Sequence, residues 1–143
     1  MDKSTLWKLS AVLSVIGILL AVYLLVQYYQ VAPGSESICN LNPLVNCSAM
    51  TTGSLATLFG IPVAAVGLVG YAFILISSLT KRKGLMLGMS AFGVLFCLRI
   101  TILELFFVKI ICPVCILCQV IMFILFGISL YLYFTKGKKK SNK

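Results

Sequence analysis

Histidine is absent from the 143-residue sequence. No imidazole base is therefore available for acid–base or nucleophilic chemistry, and metal sites that mix cysteine with histidine are excluded. Charge is also scarce: Asp, Glu, Lys and Arg make up 10% of the residues and hydrophobic types 61%. Soluble domains carry about a quarter charged residues, so a soluble globular domain is excluded. Short alternating strands are lacking, which removes a membrane β-barrel. There is no repeat at a period of about 20–50 residues, no second domain and no soluble catalytic module.

What remains is apolar sequence in long runs. A run of about 20 mostly apolar residues spans a bilayer as a helix, because lipid offers no partner for backbone N–H and C=O groups. Four such runs cover about residues 6–29, 61–79, 85–107 and 112–134. The first is too long for a signal peptide, and no small-x-small cleavage site follows it, so it is read as a retained span. The expected fold is an all-α integral membrane protein, one domain over residues 1–143, with four transmembrane helices.

The formal charge of +9 sits at the borders of these runs rather than on a nucleic-acid-binding face. Lys3 and Lys8 precede the first run, and Lys81, Arg82 and Lys83 separate the second from the third. Lys136, Lys138, Lys139, Lys140 and Lys143 lie in a basic tail over 135–143. With four spans these three places share one side. The positive-inside rule makes that side cytoplasmic, with both termini there. No nucleic-acid partner is expected, and the tail is suited to anionic lipid. The opposite side receives an outer loop over 30–60, rich in turn and cap formers such as Pro33, Gly34, Asn42, Pro43 and Gly53.

Four of the six cysteines fall at that outer level. Cys39 and Cys47 lie in the loop, and Cys112-Pro113-Val114-Cys115 opens the fourth run. The outside of a prokaryotic plasma membrane is oxidising, so disulfides persist there. At a helix start, free N–H groups and the helix dipole stabilise a thiolate on the first cysteine. Pro113 fits the first turn, where its missing N–H is no loss. Structural disulfides, a metal or cluster site, small buried hydrophobes and a redox relay are all open readings. A bridge within one helical turn closes too short a loop to stabilise much. The spacing is not that of a zinc ribbon, and Met122 stands where an iron–sulfur motif would place its fourth ligand. The relay is favoured, and no metal is expected. Cys97 and Cys118, inside apolar helices, read as small core residues. Arg99 and Glu104, in the outer half of the third helix, are read as reaching the outer interface or pairing with other groups, and Tyr71 and Gln119 as polar groups suited to lining a cavity.

The order of these features resembles the prokaryotic branch of the vitamin K epoxide reductase family. It runs from a first helix to a loop with Cys39 and Cys47, then Ser54 and Phe59-Gly60-Ile61-Pro62-Val63 opening the second helix. A third helix follows, ending near Glu104, and then Cys112-Pro113-Val114-Cys115. The resemblance covers about residues 6–134 and implies a four-helix bundle around a quinone of menaquinone or ubiquinone type. It implies that Cys39 meets a thioredoxin-like periplasmic or extracellular protein and that Cys47 exchanges with Cys112. It further implies that Cys115 faces the quinone ring and that Ser54 hydrogen-bonds a quinone oxygen. Gln119 stands where the vertebrate enzymes carry a tyrosine, and about Val63 where they carry an asparagine. Many prokaryotic members carry a thioredoxin-like domain after the last helix; here a lysine-rich tail follows, so a separate partner protein is expected. The implied activity is a plasma-membrane, quinone-dependent, disulfide-forming oxidoreductase. A disulfide-stapled scaffold or transporter subunit is the alternative, and an outward carrier of reductant is a third reading.

Overall fold

A computed structural model describes residues 2–30, 57–109 and 112–137. Cys39, Cys47 and Ser54 lie outside the described residues. Helix α1 runs Lys3–Gln30, α2 Val63–Leu79, α3 Lys83–Leu103 and α4 Pro113–Gly137. The four pack in a closed ring in which α1 touches α2 and α4, and α3 touches α2 and α4. The all-helical fold expected from the apolar runs is present, with helix limits shifted by a few residues. Among the described residues, three helices are long and apolar enough to cross a membrane: Lys3–Gln30, Lys83–Phe107 and Pro113–Thr135. Helix α2 is apolar but has 17 residues.

The polarity of the bundle is inverted relative to a water-soluble one. Leu19, Leu95, Ile76 and Phe134 are exposed, while Ser10, Ser14, Ser77, Ser90 and Ser129 are buried. Lipid is as apolar as leucine, so small residues and interhelical hydrogen bonds drive the packing instead. The buried positions of α1 are Leu6, Trp7, Ser10, Ser14, Gly17, Ala21 and Leu24, a seam stepping by three and four along one face. Its small side chains let α2 come close. The Ser10 and Ser78 hydroxyls meet at 2.7 Å, and those of Ser90 and Ser129 at 2.9 Å between α3 and α4. A Cβ added to Gly17 would stand 2.7 Å from Tyr71 Cζ, so glycine is required for that approach.

Residues Leu6, Trp7, Ile74, Met86, Ile128 and Leu132 belong to one core cluster. The start of α1, the α2–α3 turn and the end of α4 therefore share one end of the bundle, which gathers Lys3, Lys8 and Lys81–Lys83. The opposite end carries the cysteine pair and two local departures from regular structure.

The first departure is a two-stranded hairpin, β1 (Thr57–Leu58) and β2 (Ile61–Pro62), where the sequence suggested only loop and helix. Its two-residue turn is Phe59-Gly60, both at positive φ, 52° and 84°. That is the geometry of the type I′ turn, which matches strand twist. The chain leaves Pro62 in extended geometry and enters α2 directly. The second departure is at the end of α3, which widens into a π-helical turn over Glu104–Val108. Lys109, at φ 52°, closes it by donating its N–H to the Glu104 carbonyl at 2.7 Å.

Candidate functional site

Cys112 stands immediately ahead of α4, and Cys115 lies in its first turn. Three residues separate them, so they fall on one face of the helix start. Both are buried, packed with Leu24 of α1 and beside Ala64 of α2 and Val114. Their side chains hydrogen-bond to each other. That contact holds the Cys112 thiol below the usual thiol range, helped by the backbone N–H groups of Cys115 and Val114. Burial and the charge of Glu104 oppose the shift. The backbone N–H groups at the helix start thus contribute to the thiolate, and the larger contribution is the second cysteine.

From Cys115 the same face of α4 continues through Cys118, Gln119 and Met122. All four line a cavity of about 100 Å³. The other walls come from all three remaining helices, with Leu24, Gly67, Tyr71, Phe92 and Phe96 among them. Nothing stands within 4 Å of where a Cβ on Gly67 would be, so this glycine leaves the space open. The volume is of the order of the roughly 150 Å³ cavities that admit a benzene ring. The walls are mostly apolar, and Cys115 lines the cavity at its cysteine end.

Two polar side chains on the cavity wall, Tyr71 and Gln119, have hydrogen-bond partners on neighbouring helices. The Tyr71 hydroxyl donates to the Cys118 carbonyl at 2.6 Å, linking α2 to α4 across the ring of helices. The Thr101 hydroxyl stands 2.6 Å from Gln119 Oε1 and 2.9 Å from the Cys97 carbonyl. With Oε1 held by Thr101, the Gln119 amide N–H groups are the ones left to donate. Gln119 and Tyr71 thus line the cavity, as their polarity in apolar helices suggested.

Cys97 and Cys118 sit inside the bundle, and both also line the cavity, a position their spacing did not reveal. Arg99 is exposed, in keeping with a snorkelling side chain. Glu104 is buried, with only 5% of its surface exposed. Its Oε1 has no hydrogen-bond partner among the described residues. A π-helical turn begins at this residue. Among the described residues no group of three or more metal-ligating side chains is present.

Residues 8–130 match the profile of the Vitamin K epoxide reductase family. No curated protein matches the chain.

Proposed function

This chain belongs to the vitamin K epoxide reductase family, and on that premise we propose that it forms disulfides at the expense of a membrane quinone. Family membership makes it a membrane thiol oxidoreductase linked to quinone chemistry. The observation that carries the finer reading is the placement of Cys115. One side of it contacts the Cys112 thiol, and the other opens on a ring-sized apolar cavity.

In this reading electrons enter from a thioredoxin-like partner at Cys39 and pass through the Cys39–Cys47 pair. They leave through Cys112 and Cys115. Each transfer between proteins or pairs is attack of a thiolate on a disulfide sulfur. Cys112 is suited to exchange with Cys47, because its thiolate is stabilised by the Cys115 thiol and by two backbone N–H groups. A quinone, when bound, supplies a two-electron, two-proton acceptor. Cys115 is the sulfur placed to face it, and Phe92, Phe96 and Met122 keep water from the ring. The Gln119 amide, oriented by Thr101, is a donor for one ring oxygen. Ser54 is assigned to the other by the family pattern.

Four spans are proposed rather than three. The 17 residues of α2 are about 26 Å long, just below the roughly 30 Å hydrocarbon core, and the hairpin before it adds length. The lysine end faces the cytoplasm by the positive-inside rule, which puts the cysteine end on the periplasmic or extracellular side of the plasma membrane. The test is to mix the purified protein with a reduced thioredoxin-like protein and follow quinone absorbance. Quinone reduction that needs both components supports the reading, and none refutes it. A disulfide-stapled scaffold would show no quinone dependence.

A further inference from the structure

Glu104 is the one acidic residue within the apolar runs of the sequence; the other two, Asp2 and Glu36, lie outside them. It is buried at the cysteine end with one carboxylate oxygen unpartnered among the described residues. An unpaired buried charge is costly, and intramembrane carboxylates mark proton or ion pathways. The backbone at this point is also unusual. The π-helical turn Glu104–Val108 begins at this residue, and such turns concentrate at functional sites. Its charge acts on both Cys112 and Cys115. The neighbouring charges are elsewhere: Arg99 and Lys109 of the same segment are exposed. The last turn of α1 carries Tyr28 and Tyr29, and the described start of α2 has no titratable group.

We propose that Glu104 is the proton acceptor for the Cys112–Cys115 pair, taking a thiol proton as the pair is oxidised and passing it on toward the reduced quinone. The inference rests on the quinone-linked reading above. Oxidation of the pair breaks two S–H bonds, forms one S–S bond and delivers two electrons and two protons to a quinone, giving a quinol. With no histidine in the chain, one of these protons needs another base. Two negative charges side by side in the dry end of the bundle are unfavourable. Proton transfer from thiol to Glu104 moves the single charge without adding a second.

The test compares wild type with Glu104→Gln, which keeps the shape and removes the base. With dithiothreitol as reductant and a soluble quinone analogue, wild-type turnover is the control for the relay itself. Absence of wild-type turnover refutes the relay, whereas equal turnover of wild type and variant refutes only the role of Glu104. The expected result is a loss of about 100-fold in the variant. A second readout uses no quinone: the pH midpoint for alkylation of Cys112 in the reduced protein. Because the Glu104 charge opposes the Cys112 thiolate, the midpoint moves down in Glu104→Gln. A thiolate that forms more easily in a slower enzyme is the signature of a lost proton acceptor. Slower turnover with an unmoved or raised midpoint indicates a structural role and overturns the proposal. Glu104→Asp, which retains a carboxylate, is expected within about tenfold of wild type; Asp no better than Gln also overturns it.

Discussion

The Tyr71 hydroxyl donates to the Cys118 carbonyl at 2.6 Å, joining α2 to α4 on the wall of the cavity. The same ring packs over Gly17 of α1, so one side chain ties three helices together. Tyr71→Phe removes the hydrogen bond and keeps the ring. The expected cost is about 0.5–1.5 kcal/mol, seen as a lower thermal midpoint in detergent, with quinone turnover retained.

Gly17→Ala and Gly93→Ala should differ although both add one methyl. At Gly17 the new Cβ would meet the buried Tyr71 ring, with Cδ1 at 2.5 Å and Cζ at 2.7 Å. At Gly93 it would meet the Met122 side chain, with Sδ at 2.6 Å, and that thioether can move aside. Gly17→Ala is expected to destabilise by about 1–3 kcal/mol and Gly93→Ala by less. Thermal unfolding of the two variants side by side checks this; equal costs would contradict the tie between α1 and Tyr71.

The two cysteines of the helix start should also be distinguishable. Because the Cys115 side chain stabilises the Cys112 thiolate, Cys112 should alkylate at a pH below that of an ordinary thiol. Cys115→Ala removes that contact, so the midpoint should move up, which is the opposite of the shift expected for Glu104→Gln. Peptide mapping after alkylation across a pH series reads both. A midpoint unmoved by Cys115→Ala would remove the contact from the mechanism.

The helical bundle was readable from composition because runs of apolar residues leave a membrane chain few choices. The cysteine pair was readable because Cys112-Pro113-Val114-Cys115 carries its own helix-start chemistry. Three features were not legible. The Phe59-Gly60 hairpin depends on two positive φ angles, one at a phenylalanine, where turn statistics favour asparagine or aspartate. The π-helical turn at Glu104 has no sequence signature in a 3.6-residue period. The place of Cys97 and Cys118 on the cavity depends on which faces of α3 and α4 meet, and nearly uniform apolarity hides those faces.

Cys97→Ala and Cys118→Ala should keep quinone turnover even though both residues line the cavity. Neither is needed for the relay, and each should cost at most about 1–2 kcal/mol in packing. Loss of turnover in either variant, with normal thermal stability, would mean that the cavity cysteines take part in electron transfer.

Topology is checked with impermeant thiol reagents on intact cells. After reduction, Cys39 and Cys47 should label from outside, opposite the lysine end. Labelling of these two residues only from the cytoplasm would reverse the orientation and remove the oxidising compartment that the relay needs.

The most direct measurement is a single turnover without a protein partner. The fully reduced protein is mixed with one equivalent of a soluble quinone analogue, then acid-quenched and mapped. The account predicts one equivalent of quinol, two thiols lost and one disulfide in the peptide map, at Cys112–Cys115 or, after exchange, at Cys39–Cys47, all abolished in Cys115→Ala. Quinone left unreduced while both thiols remain titratable would contradict it.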